Sequence, residues 1–388
     1  MSVSTPSIRS KPNSRPQSTA GQFLCVVCGQ KMVAGLEPDL WRCPDCQYQC
    51  STFVDSVTNS AARLNETHRR QGLEALRRRN AQTILDVLAH VRSLPGARLC
   101  DIGCAYGWFL DEAERAGIVA LGIEPDAPVA ALAENRGLNV RLGNFPDCLA
   151  AVEQFDVLTL NDVLEHLPQI ERMVGACRQH LLPSGLLAIA LPTSSGAVFR
   201  IGSLLRRCRI RGPLDRLWQR SYPSPHCHYF NADNLERLLA RFDLKLIHSQ
   251  SLPAWQLAGL WNRLRMDQSQ PTWKAVLAWI SLVVANPLLR RLPSDILLQV
   301  YRRADESTCQ VDRPNAAGVR ANQFGLPLST KAAQSRGDSR LPAGSSAGCS
   351  PSTSNPRSAV TSTVPLSKLS CAARNAASGG MSLFQRLS

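Results

Sequence analysis

Apolar residues along this chain fall into two rhythms. Between residues 61 and 92, Leu73, Leu76, Ile84, Leu85, Leu88 and Val91 recur at roughly helical spacing, which predicts one long helix. From about residue 97 the rhythm shortens. β-rich runs at 98–103, 119–124, 139–143, 155–161 and 186–191 alternate with helical stretches at 108–116, 128–135 and 170–180. Such alternation predicts a parallel sheet with helices on both faces. Two later runs, 244–249 and 296–301, are expected to close that sheet.

Residues 253–292 break the pattern. They carry Trp255, Trp261, Trp273 and Trp279 and an apolar run at 275–289, interrupted by Asn286 and Pro287. No uninterrupted apolar run reaches the roughly 20 residues of a membrane-spanning helix, so no span is expected. The segment reads as a hydrophobic helical insertion packed on the core. A substrate lid or a peripheral membrane patch is the alternative. Residues 1–20 and 306–388 are polar, without periodicity, and read as a disordered leader and tail. Truncation after Asp305 is therefore expected to preserve folding.

Composition narrows the partners. The 388 residues, 44% hydrophobic, suffice for one sizeable α/β domain with small attachments. The net charge of +14 suggests nucleic acid at first. Its distribution argues otherwise: 1–20 carries +3, 307–388 carries +7, and the remaining body only +4. Along the first helix, Arg69, Arg70, Arg77, Arg78 and Arg79 read as a solvated basic face. No apolar signal segment is visible in the first twenty residues, so the 14 cysteines are expected in a reducing cytoplasm, as thiols or metal ligands.

The strongest local signal is Asp101-Ile-Gly-Cys-Ala-Tyr-Gly107, a strand, a glycine turn and a helix start. Gly103 permits the sharp turn and Gly107 a close approach of backbone to a ligand at the helix N-terminus. A second strand ends in Glu124, an acid able to accept both hydroxyls of a ribose. The Gly-x-x-x-Gly spacing exposes less backbone N–H than a pyrophosphate requires, which argues against NAD. An adenosine carrying a sulfonium amino acid requires less.

These residues resemble class I S-adenosylmethionine-dependent methyltransferases. The first motif matches with Ala105 in place of the middle glycine, and Glu124 matches the acid ending the second strand. Residues 155–167 resemble the fourth-strand segment, and 181–192 the turn and fifth strand. The resemblance covers roughly residues 80–303 within a domain read as 61–305. It implies an α/β Rossmann-like sheet with helices on both faces. It also implies that Asp101 lies near the methionine amine, Gly103 and Gly107 border the methionine and ribose, and Glu124 binds the ribose. Asn144 would lie near the adenine and Asn161 beside the methionine end.

Ahead of that domain, over 21–54, Cys25-Val-Val-Cys28 and Cys43-Pro-Asp-Cys46 form two C-x-x-C knuckles. Each presents two thiolates to one tetrahedral Zn²⁺, and four protein ligands leave no open position, so the ion is expected to be structural. The segment resembles small zinc ribbons that precede some small-molecule and sugar methyltransferases. Cys50 reads as a spare, structural cysteine.

Methyl transfer to a hydroxyl requires alignment and loss of a proton. The candidate catalytic residues are His166, His226 and His228; His226-Cys-His-Tyr-Phe230 resembles the H-x-H-x-F segment bordering the substrate cleft in many family members. The bland reading is that these histidines orient loops. The leading expectation is methyl transfer to a small-molecule, sugar or lipid-linked acceptor, O- or C-directed and amphiphilic in view of the tryptophan-rich stretch. Glu165 and His166 with a later histidine, and Asp162 as a further acid, also resemble the metal set of small-RNA 2′-O-methyltransferases. The weakly basic body argues against an RNA partner. A third reading is a non-enzymatic module that keeps the fold.

Overall fold

This computed structural model describes residues 23–53, 65–220, 222, 224–268 and 270–304. The leader expected over 1–20 and the tail over 306–388 lie outside them. The chain begins with a small meander, β1 (Val33–Ala34), β2 (Leu40–Arg42) and β3 (Gln49–Ser51). The long helix α1 (Glu66–Val91) follows, capped by the Asn65 side chain, which accepts from the His68 N–H at 2.9 Å.

The alternating region then runs β4 (Arg98–Ile102), α2 (Trp108–Arg115), β5 (Val119–Glu124), α3 (Ala127–Glu134), β6 (Val140–Leu142) and β7 (Phe155–Asn161). It continues with α4 (Ile170–His180), β8 (Leu181–Pro192), α5 (Ala197–Arg207), α6 (Gly212–Leu217), β9 (His228–Tyr229) and α7 (Ala232–Ala240). It ends with β10 (Leu244–Leu252), α8 (Leu260–Arg265), α9 (Thr272–Leu289) and β11 (Ile296–Arg303).

Seven strands form one sheet in the order β10-β11-β8-β7-β4-β5-β6. Strands β4 to β8 pair in parallel, and β11 runs antiparallel between β8 and β10. The two late runs therefore close the sheet, as their patterning suggested. The central strands are buried on both faces: Leu99, Cys100, Val157, Leu158, Leu160 and Leu187 are all fully enclosed. Strand order reverses at β4, which feeds β5 on one side and has β7 on the other. A crevice opens at that reversal, beyond the carboxyl ends of the strands.

The cysteine-bearing meander does not stand apart. Strand β3 pairs antiparallel with β9, so the small sheet runs β1-β2-β3-β9 and takes its last strand from the second half of the chain. Cys25, Val27, Met32 and Tyr48 share a continuous apolar cluster with Phe230, Leu235 and Leu238. Ion pairs Arg220–Asp39 at 2.8 Å and Arg237–Asp45 at 3.1 Å tie its rim down.

Two expectations fail here. The arginines of α1 are not one solvated face. Arg70 and Arg79 are exposed, but Arg69 is buried and bonds the Tyr106 hydroxyl at 3.2 Å. Arg78 pairs with Glu74, Asp111 and Glu112, and Arg77 pairs with Asp162. The helix is covered on more than one side, by α2 and by α8, so positions that look solvated on a one-faced helix meet neighbours. Second, 253–292 is not packed on the core throughout. Helix α8 docks tightly on α1, where a Cβ on Gly72 would lie 2.6 Å from the Arg263 nitrogen. Helix α9, by contrast, buries only Ala275.

Candidate functional site

The crevice is lined by Asp101, Gly103, Cys104, Ala105 and Tyr106 from the β4–α2 turn. Arg77, Asn80 and Ile84 line it from α1, and Asn161 and Asp162 from the end of β7. Leu252 and Ile296, which flank the α8–α9 insertion, close its apolar wall.

Asp101 sits at the floor. Its Oδ1 accepts from the Thr159 hydroxyl at 2.6 Å and the Asn161 amide at 3.0 Å. Burial nonetheless pushes its pKa up to about 7 against those two donors. Asn161 spends its N–H on Asp101, and its carbonyl Oδ1 is buried with no hydrogen-bond partner. Asn80 likewise donates to Pro253 O at 3.1 Å and leaves its Oδ1 unpartnered. Two orphaned acceptors and a carboxylate therefore face one crevice, a combination that suits a ligand carrying N–H donors and positive charge.

The turn above them is held from behind. Glu124, fully enclosed at the end of β5, accepts from the Ala105 N–H at 2.9 Å and the Asp126 N–H at 2.8 Å. Burial raises its pKa to about 8, opposed by those backbone donors. The structure thus places Glu124 behind the turn, outside the crevice lining. Gly107 also departs from its expected role. Its φ of 74° starts α2, and an added Cβ would lie 2.4 Å from Leu138 Cδ1. Glycine is required there for packing against the α3–β6 segment. Asn144 is exposed in the turn after β6 and does not reach the lining.

The three histidines gather behind the β7 end, and none lines the crevice. His228, on β9, has both ring nitrogens engaged. Nε2 lies 2.8 Å from the Leu167 carbonyl and must donate, so Nδ1 accepts from the Tyr48 hydroxyl. Its pKa is lowered by burial to about 4, which keeps it neutral. It fastens the cysteine meander to the loop after β7. His166 Nδ1 faces the Pro225 carbonyl at 3.3 Å, so the proton sits there and Nε2 is left without a partner. His226 Nδ1 faces the Tyr229 hydroxyl at 3.2 Å, whose own proton goes to Leu217 O at 2.8 Å. Burial pushes both imidazoles down, His166 to about 4.

Glu165 joins them. Its two oxygens are buried without hydrogen-bond partners, and Oε1 lies 3.9 Å from His166 Nε2. Burial raises its pKa to about 8, partly offset by Arg77. Ligand atoms of Glu165, His166 and His226 all lie within 4.8 Å of one another, the donor set of a divalent cation. Asp162 does not join that set. It has φ 54° and turns to Arg77.

The four meander cysteines also converge within 4.8 Å. Cys25 Sγ is 3.5 Å from Cys46 Sγ, and Cys28 Sγ is 3.4 Å from Cys43 Sγ. Four sulfurs about 2.3 Å from a central ion would be separated by about 3.8 Å, so a tetrahedral zinc fits with little movement. Cys50 lies apart, against Met32.

Comparison with known proteins agrees with this geometry. Residues 68–249 match the family described as "Methyltransferase domain". A ubiquinone biosynthesis O-methyltransferase of Rhodopseudomonas palustris is 30% identical over 26% of this chain and 42% of its own. The protein of that name from Cereibacter sphaeroides is 38% identical over 24% of this chain and 40% of its own. That from Brucella ovis is 23% identical over 45% of this chain and 70% of its own. The chain spans about half the length of the first curated relatives it matches.

Proposed function

We propose that this chain, whose residues 68–249 match a methyltransferase-domain family, is a class I S-adenosylmethionine-dependent methyltransferase that transfers a methyl group to a hydroxyl of a small-molecule acceptor. The observation that carries this reading is the buried, unpartnered Asn161 Oδ1 beside the Asp101 carboxylate, at the reversal of strand order. An amino acid ammonium fits these acceptors: Asp101 supplies charge and Asn161 a carbonyl. The relatives' name, O-methyltransferase, favours oxygen over carbon as the acceptor atom.

When bound, S-adenosylmethionine supplies an electrophilic methyl on sulfonium; an acceptor oxygen forms the new C–O bond as the S–CH₃ bond breaks, and the acceptor proton leaves. The protein's residues hold the parts in line. Asp101, Asn161 and Gly103 fix the amino acid end. Glu124 keeps a second lone pair on each oxygen, and the Cys104–Tyr106 turn must move for a ribose to reach it. Ala105, at φ 46°, is the strained point of that turn. Gly107 shapes the helix start that borders the site, and Asn144 acts near the adenine only with a shift of its exposed loop. Arg77 and Asp162 stand where the acceptor enters.

None of the three histidines lines the crevice, so the acceptor proton leaves to water and the cluster acts on the loop after β7. His166 and His226 present neutral imidazoles, while His228 orients the loop. The convergence of Glu165, His166 and His226 supports a second reading, in which these residues would hold a divalent cation able to lower the pKa of a hydroxyl that reached behind the β7 end. This keeps the metal part of the resemblance to RNA 2′-O-methyltransferases and leaves out the RNA. The four-cysteine cluster holds a structural zinc in our reading, consistent with a reducing compartment such as the cytoplasm.

Radiolabelled S-adenosylmethionine, offered with phenol and with an alkylphenol, tests the reaction. Label appearing in an O-methylated product supports it. Cofactor binding with no labelled product from these phenols or from a cell extract would leave a non-catalytic module instead.

A further inference from the structure

Helix α9 is apolar on every side and yet stands on the outside of the molecule. Trp273 is 61% exposed, Leu277 56% and Val284 76%, and Ile280 and Leu288 continue the same stripe. A helix hydrophobic all round belongs in an apolar medium. Among the described residues its packing is confined mainly to α8, which is itself anchored on α1.

Three observations say what that medium is. Charge comes first: between Pro253 and Leu292 the cations are Arg263, Arg265, Lys274, Arg290 and Arg291, and the one acid is the buried Asp267. Three of those cations, Lys274, Arg290 and Arg291, lie in the first turn of α9 or directly after its end. Tryptophans come second: Trp261, Trp273 and Trp279 are exposed on this one insertion, and amphipathic indole rings favour the headgroup boundary. Placement comes third. The insertion leaves the sheet at Leu252 and returns at Ile296, both lining the crevice, so the segment that carries α9 is rooted at the crevice.

Topology then decides how the helix meets a bilayer. With 18 residues and a mean hydropathy of 1.4, α9 is long and apolar enough to cross one. Only six residues separate Leu289 from Ile296, and six separate Arg265 from Thr272. At about 3.5 Å per residue neither connector recrosses a hydrocarbon layer about 30 Å thick. Both ends of α9 must stay on the side of the sheet.

We propose that α9 lies in the surface of an anionic lipid bilayer, docking the crevice mouth against it. Resting on the cofactor reading above, this names the acceptor class: a hydroxyl compound with a lipid tail, taken from the membrane.

Flotation of the full chain with vesicles tests the docking. Phosphatidylglycerol–phosphatidylcholine vesicles are expected to carry the protein, and pure phosphatidylcholine to carry less. The variant Leu277→Glu/Ile280→Glu/Val284→Glu should lose binding by more than about tenfold, with its melting temperature and S-adenosylmethionine affinity unchanged. Lys274→Glu/Arg290→Glu/Arg291→Glu should lose the preference for phosphatidylglycerol. Three results overturn the proposal: wild type that stays in solution, a glutamate variant that binds as well as wild type, or a vesicle-independent dimer that the glutamates dissociate. Binding to vesicles without cofactor binding would leave the docking intact and remove the proposed reaction.

Discussion

The Asn161 side chain donates to Asp101 Oδ1 at 3.0 Å and leaves its own carbonyl oxygen buried and unpartnered. One hydrogen bond thus ties the ends of β7 and β4 together across the point where strand order reverses. It also aims an empty acceptor at the crevice. An unmet acceptor in that position costs on the order of 1–3 kcal/mol, which a bound N–H donor returns.

The first prediction concerns pH. Asp101 is raised by burial to about 7 in the folded protein from an ordinary carboxylate value of 3.8. A group raised on folding favours the folded state below its unfolded pKa, and that advantage is lost as pH climbs through 7. The unliganded protein should therefore lose stability across this window. An ammonium ligand favours the Asp101 carboxylate, so its binding expels a proton. S-adenosylmethionine affinity should rise about tenfold per unit below pH 7 and level off above it. Isothermal titration in buffers of different ionisation enthalpy reads the released proton. Asp101→Asn should abolish the slope, and a slope retained in that variant would assign the proton elsewhere.

A second prediction concerns the cysteine meander. Strand β3 pairs with β9, and the Tyr48 hydroxyl serves His228, so the meander braces the loop that carries Glu165 and His166. The purified protein should contain one zinc per chain by elemental analysis. Cys43→Ser should lower the melting temperature of the whole domain in a single transition. Tyr48→Phe leaves the buried His228 Nδ1 unmet and should cost about 1–3 kcal/mol in denaturant unfolding. An unchanged transition in both variants would make the meander an independent appendage.

Third, Gly107→Ala should destabilise the domain by about 1–3 kcal/mol, because a Cβ there meets Leu138 and must adopt φ 74°. Unfolding by urea checks this. A neutral effect would mean that the α3–β6 segment yields easily.

How far the chain could be read in advance follows from what each signal depends on. Runs 98–103 and 155–161 are short, largely apolar stretches closed by Gly103 and Asn161, and local sequence is enough to find them. The four cysteines are legible because metal spacing is a local property. Glu124 was legible as an acid at a strand end, but the direction of its side chain depends on the Ala105 and Asp126 amides. His228 looked like a cleft residue by its H-x-H-x-F setting. Its actual neighbour, Tyr48, lies 180 positions away, and no local pattern reveals the β3–β9 pairing. Arg77 meets Asp162 just past β7, and Arg69 meets the Tyr106 hydroxyl of the glycine turn, contacts that no local pattern reveals. The exposure of helix α9 is not legible either, because hydrophobicity reports a need for burial and does not say what provides it.

The central claim is a cofactor site built on Asp101 and the β5 acid. Calorimetric titration of the full, zinc-loaded chain with S-adenosylmethionine, alongside Asp101→Ala and Glu124→Ala, tests it most directly. The account predicts one site per chain at micromolar affinity, weakened at least about tenfold in each variant, because each loses a hydrogen-bond acceptor for the ligand. Absence of binding by the folded wild type, or wild-type affinity in both variants, would contradict it.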